Sequence, residues 1–176
     1  MTDRAIMISG ALLVVVGIVT RIANRKKEVQ ITHINEDMDT DTSMTLGYRN
    51  NNPLNIRDLG IRWNGLVGSN KGFCVFSTMA YGYRAAMVNI RTSVNEYGCN
   101  TLSKIITRWA PPKENNTTSY INTVCDITGF SPNTYINPFS ETQMTGLVYA
   151  MSIVENGRKI MPDAQAINQG WELYIS

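Results

Sequence analysis

The chain has 176 residues and a net charge of +2, from 16 basic and 14 acidic side chains, a balance that singles out no polyanion and gives no reason to expect nucleic acid as a partner. Its three cysteines, Cys74, Cys99 and Cys125, form no CxxC pair, so neither a disulfide framework nor a zinc site is signalled and buried free thiols are expected. The single histidine, His33, lies in a polar, acidic stretch, which leaves the folded part no Ser-His or Cys-His pair. Acid–base chemistry must come from carboxylates, and no metal or cofactor is suggested.

The first element is apolar. Ala5 to Thr20 (AIMISGALLVVVGIVT) carry no charge and lie between Arg4 and the block Arg21, Arg25, Lys26 and Lys27. As a helix this run rises roughly 24 Å, enough to reach across a hydrocarbon core of about 30 Å if the flanking arginines snorkel. A single transmembrane anchor over residues 1–27 is therefore expected, with the basic flank on the cytoplasmic side against anionic lipid headgroups. A signal peptide fits less well, because no small-x-small cleavage site precedes the basic block. A buried helix of a soluble protein would explain the apolarity, but no polar stripe interrupts the run. Residues 28–47 hold Glu28, Glu36, Asp37, Asp39 and Asp41 with little apolar periodicity, the composition of a flexible tether. The remainder, 48–176, suits one domain with one core.

Within that domain, Tyr48 to Phe76 is rich in Asn and Gly. Short apolar pieces at Leu54 to Arg57, Ile61 to Trp63 and Phe73 to Phe76 alternate with turn signals such as Asn52-Pro53 and Asn64-Gly65, which predicts a small, irregular antiparallel sheet. From Thr78 the period becomes helical: Met79, Tyr83, Ala86, Met87, Ile90, Val94 and Tyr97 share a face, and Gly98 stands at the C-cap. Thr101 opens a shorter helix carrying Leu102, Ile105, Ile106 and Trp109, stopped by Pro111-Pro112. Thr117 or Thr118 opens another, with Tyr120, Ile121, Val124 and Ile127 inward and Gly129 closing it. Ser140 with Gln143 has the pattern of a capping box ahead of Met144, Leu147, Val148 and Met151. Pro162 or Asp163 begins a last helix through Ile167, Trp171 and Tyr174. Five helices beside a small sheet make an α+β domain dominated by helix.

The stripe of the Ser140 helix continues, four residues beyond Met151, at Glu155. A carboxylate in a core-facing slot at a helix C-terminus meets both the negative end of the dipole and partial desolvation, each of which disfavours the ionised form. That is the state a general acid for glycosidic cleavage requires. Equally compatible with the spacing is a stripe that continues through Val154, leaving Glu155 outward or paired with Arg158 or Arg84.

The segment MSIVENG around Glu155 resembles the helix-ending Glu-Ser-Gly signature of lytic transglycosylases and goose-type lysozymes, with Asn156 in the Ser position. RNNNPLNIR (Arg49 to Arg57), WNG (Trp63 to Gly65), FCVFSTMAYGYRA (Phe73 to Ala85) and TRWAPPKENNTTSYI (Thr107 to Ile121) together resemble a group of phage and prophage proteins described as virion structural proteins or lysozyme-like peptidoglycan hydrolases. The resemblance covers about Tyr48 to Trp171. NPLNI followed by an aromatic-rich strand pair also resembles the NLFGI hairpin of glucosaminidases and transglycosylases, one wall of their saccharide groove. There the catalytic Glu precedes the hairpin, whereas the only upstream candidate in this chain, Glu36, sits in the tether. Glu155 would have to reach the hairpin from the C-terminal side, as in a circular permutation.

These observations lead to an expected lysozyme-like, membrane-anchored virion protein of a membrane-containing phage that cleaves peptidoglycan glycan strands during entry or lysis, located in the internal virion membrane or the host inner membrane. As the resemblance implies, one Glu suffices as acid and then base while the muramic 6-hydroxyl closes an anhydro ring. Glu155 is the expected catalytic residue. Asn50, Asn52 and Asn55 are expected to contact sugar hydroxyls, Trp63, Tyr48, Tyr81 and Trp109 to stack on pyranose faces, and Glu114 to orient water or substrate. Bland roles compete: Asn before Pro serves turns, Trp109 on an apolar helix face suits a core, and Glu96 reads as solvated. The alternative from another class is a non-enzymatic virion protein that links an internal membrane to capsid proteins.

Overall fold

The computed structural model describes residues 44–176, a compact unit from Met44 to Ser176. The expected anchor (1–27), most of the tether, His33 and Glu36 lie outside the described residues. Among the described residues no helix is long and apolar enough to cross a membrane.

The order of elements is α1 (Leu46–Arg49), β1 (Leu66–Asn70), β2 (Phe73–Phe76), α2 (Met79–Tyr97), α3 (Leu102–Trp109), α4 (Thr117–Thr128), α5 (Glu141–Asn156) and α6 (Ala164–Ile175). The α+β architecture with a mainly helical body is as expected, and the five long helices stand where periodicity and caps place them. Thr78 accepts from the Tyr81 backbone N–H and Gly98, at φ 64°, closes α2. Three caps differ in detail. Asn116, not Thr117 or Thr118, caps α4 through its side chain. Thr101 sits at the N-cap of α3 without a cap bond, its hydroxyl lying against that of Ser103. Ser140 caps α5, but Gln143 does not reciprocate: its amide accepts from Asn137 N–H and donates to Tyr135 O, tying the preceding loop instead.

The sheet is smaller than expected. Among the described residues only β1 and β2 pair as strands, antiparallel around Lys71-Gly72, whose φ values of 52° and 81° are those of a primed hairpin turn. Leu54 to Arg57 contributes one isolated bridge, Arg57 to Phe73, and Ile61 to Trp63 is not a strand. Asn51 to Asn55 is wound into turns, in part by its own amides, so this stretch meets β2 through single backbone bonds such as Cys74 N–H to Ile56 O rather than as a continuous strand. Tyr48 is likewise helical, within α1.

Helix α2 runs through the centre. Tyr83, Ala86, Met87 and Ile90 are fully buried, with Leu147, Val148 and Met151 of α5 and Leu102, Ile105 and Ile106 of α3 in the same core. Each such aliphatic side chain contributes roughly 1.5–3 kcal/mol by leaving water. Gly170 lets α6 come against α2, since a Cβ there would lie 2.9 Å from Ala80 O and from Tyr83 Cβ. Arg84 Nε donates to Leu173 O at 3.0 Å, holding the end of α6. Gly82 does the same for the N-terminal turns: a Cβ would meet Asn51 O at 2.1 Å. Thus α2 seats the Asn51 to Asn55 turn on one flank and α6 on another.

Candidate functional site

On α5 the buried stripe Met144, Leu147, Val148 and Met151 divides at its end. Val154 and Glu155 are both half-buried, and Asn156 is the buried one. Asn156 donates to Pro53 O at 2.7 Å and to Ser152 O at 2.9 Å, and it accepts from the Thr45 hydroxyl. It thereby clamps the end of α5 to the N-terminal turns and leaves Glu155 directed at three other elements.

Glu155 Oε1 accepts from Trp109 Nε1 at 3.2 Å and from the Tyr120 hydroxyl at 3.0 Å. Oε2 accepts from Asn55 Nδ2 at 3.1 Å. Trp109 is the last residue of α3, Tyr120 lies in the first turn of α4, and Asn55 sits in the turn after Pro53 with φ 51°, a left-handed conformation Asn tolerates better than most residues. Neither Arg84 nor Arg158 pairs with Glu155; among the described residues the ion pair is Arg57–Glu114, 3.0 Å, on the surface. Burial first, and then the neighbouring Glu155 charge, push the Tyr120 hydroxyl well above its ordinary value, so it remains a donor throughout the neutral range.

Two clefts adjoin at this point. The smaller, about 250 Å³, is lined by Asn55, Arg57, Trp109, Glu114, Asn115 and Glu155, among others. The larger, about 350 Å³, shares Asn55, Arg57 and Trp109 with it and extends past Trp63. A carboxylate therefore borders a concave surface flanked by indole and amide groups, a composition suited to a polar ligand with flat faces. Among the described residues no three His, Cys, Asp or Glu side chains gather to hold a metal.

Of the residues singled out in the sequence, Glu155, Asn55, Glu114, Trp63 and Trp109 are brought to these clefts. Asn50, Asn52 and Tyr48 are not, and their expected saccharide contacts are corrected by burial. Asn52 is 0% exposed and spends its amide on the backbone. Asn50 is 2% exposed and accepts from Asn70 Nδ2. Tyr48 is buried with its hydroxyl on Met161 O. Tyr81 is half-buried against the Gly65 turn, where a Cβ on Gly65 would lie 2.2 Å from its ring, and it lines neither cleft.

Tyr120 was legible only as a member of an inward stripe, and Trp109 as either a stacking platform or a core residue. The available signal was chemical: an aromatic side chain with a polar end, when drawn toward a core, needs an acceptor, and Glu155 is the acceptor that the stripe of α5 offers. Tyr120→Phe should remove one donor and lower the unfolding free energy by about 1 kcal/mol, read as a downward shift in urea midpoint. An unmoved midpoint would mean that the bond adds nothing in solution.

No family model matches the chain. Over 116 residues it is 39% identical to Protein P5 of Pseudoalteromonas phage PM2, an alignment that spans 63% of this chain and 71% of the relative.

Proposed function

The chain belongs to the family of Protein P5 of Pseudoalteromonas phage PM2, and we propose that it serves a phage as a lysozyme-like virion protein that cuts the glycan strands of peptidoglycan, with Glu155 as acid and then base. The observation that carries this reading is the position of Glu155 on the smaller cleft, its Oε1 doubly bonded to Trp109 and Tyr120 while Oε2 has the single partner Asn55. Two donors orient the carboxyl group, and the less encumbered oxygen is left for a substrate.

In its carboxyl form Glu155 gives its proton to the bridging oxygen as the bond from the muramoyl C1 to that oxygen breaks, leaving an oxocarbenium-like centre. The resulting carboxylate then takes the proton of the muramoyl 6-hydroxyl as its oxygen bonds to C1, closing a 1,6-anhydro ring and restoring the acid. No water enters the products, and no second carboxylate is needed. Trp109 and Trp63, which line the clefts, would meet sugar faces, and Asn55 would meet a hydroxyl or N-acetyl group. The apolar run Ala5 to Thr20 would hold the domain to a bilayer, in the virion or in the host.

A second reading is favoured by the same bonds seen as architecture. A carboxylate that joins the Asn55 turn, α3 and α4 to α5 is also what a non-enzymatic protein linking a membrane to a capsid would use to stiffen its interaction module. The two readings part on one measurement. The full-length chain in detergent is incubated with purified peptidoglycan, and released muropeptides are analysed by mass spectrometry. Release with 1,6-anhydro ends is the expected result; no release by a folded chain selects the linker.

A further inference from the structure

The larger cleft differs in charge from the smaller. Glu155 and Glu114 border the smaller one, whereas the larger has no acidic residue in its lining and carries Arg57 and Arg108. Arg57 is partly neutralised by Glu114. Arg108 has no carboxylate partner among the described residues; its guanidinium lies 3.4 Å from the centroid of the Tyr97 ring, which holds it in place from one face. Trp63 lines the same cleft with its indole ring, its Nε1 being buried. The remaining wall is mixed, with Asn55, Asn89 and Ser93 beside the apolar Leu59, 76% exposed, and Ile61, 48% exposed.

From these features, and resting on the glycan-strand reading above, we infer that the larger cleft is a binding site for a carboxylate-bearing peptide branch of the strand, received by Arg108. The chemistry is specific in kind. A muramoyl residue bears, through its lactyl group, a short peptide with free carboxylates and apolar alanine methyls. Cationic donors match the carboxylates, and Leu59 and Ile61 match the methyls. An uncharged saccharide would leave Arg108 without a counter-charge in the cleft. The shared wall of Asn55, Arg57 and Trp109 joins the two sites, so a strand cut at Glu155 would be one whose neighbouring muramoyl still carries its peptide. The structure thereby assigns a preference for peptide-bearing over denuded glycan.

Binding tests this without relying on turnover. Full-length Glu155→Gln, which retains the clefts, is titrated with two soluble glycan oligomers of equal length, one carrying its peptides and one stripped of them by an amidase. The peptide-bearing oligomer should bind about tenfold tighter, the worth of one charge-assisted hydrogen bond, and the advantage should shrink as salt rises. Adding Arg108→Gln should bring the ratio of the two affinities toward one, Arg108→Glu should invert it, and Arg108→Lys should keep most of it. Equal binding of both oligomers by Glu155→Gln, or a ratio that Arg108→Gln leaves unchanged, overturns the inference. Failure of cleavage in the wild-type chain together with a retained preference would instead overturn the catalytic reading and leave this site standing.

Discussion

Glu155→Gln should lower the release of anhydro-muropeptides by roughly 10²–10⁴-fold, the range that a positioned acid–base group supplies, while leaving the domain folded. Gln has the same shape, so its carbonyl oxygen still accepts from Trp109 Nε1 and the Tyr120 hydroxyl, the two bonds that hold Oε1. The other end becomes an amide donor facing Asn55 Nδ2. Turning the Asn55 amide over restores a donor–acceptor pair at the cost of a local adjustment. Stability should therefore change by about 1 kcal/mol or less, whereas the proton needed at the glycosidic oxygen is gone. Glu155→Asp separates charge from reach: it keeps the carboxylate but withdraws it by one methylene, and misplacement of a catalytic group on that scale commonly costs about 100-fold. Both rates are read from soluble muropeptide release, with circular dichroism and urea midpoints as the check on folding. A folded Gln variant that cleaves like the wild type would remove Glu155 from the chemistry.

The largest stability effect is expected at Asn52. Its Nδ2 donates to Ile56 O and to Cys74 O, both at 2.9 Å, and its Oδ1 accepts from Ile56 N at 2.8 Å. The side chain thus binds the Pro53–Ile56 turn to strand β2 in a place with no access to water, at 0% exposure. Asn52→Ala leaves the Ile56 N–H and the two carbonyls short of a partner, each at roughly 1–3 kcal/mol where it is wholly orphaned. Because Ile56 O retains the Cys74 N–H at 2.9 Å, the total should come to about 3–5 kcal/mol. That is a large part of the 5–15 kcal/mol by which domains are usually stable, and the urea midpoint should fall accordingly with little change in slope. Asn52→Asp is the sharper test. It keeps the acceptor for Ile56 N but sets a carboxylate oxygen against two carbonyls, so it should be no better than Ala. A saccharide-binding Asn would behave in the opposite way, with affinity lost and stability kept.

Asn52 and Asn55 are three residues apart in one Asn-rich run, yet one is a buried strut and the other meets Glu155. Composition alone treats them alike, because an Asn that serves a turn and an Asn that serves a ligand use the same amide. Only the seating of the turn on Gly82 of α2 and the clamp from Asn156 decide which amide faces inward. Likewise the spacing of α5 offered both Val154 and Glu155 as the next position of the stripe, and the fold left each half-buried.

By itself the sequence determined the helices, since a 3.6-residue apolar period bounded by Thr78, Gly98, Gly129, Ser140 and Asp163 is a local property that short-range sterics and caps enforce. It also determined that the described domain holds no histidine, which is why the proposed acid–base role falls to a carboxylate. The tertiary structure alone decided the extent of the sheet, because the amides of Asn51 and Asn52 occupy Ile56 N and O, Cys74 O and Phe76 O, groups that a continuous further strand pair would need. It alone brought Asn55, Trp109 and Tyr120, 100, 46 and 35 residues away, to one carboxylate. Hydrogen bonds across such separations follow from how packed helices orient their ends, and no periodicity in the chain encodes that.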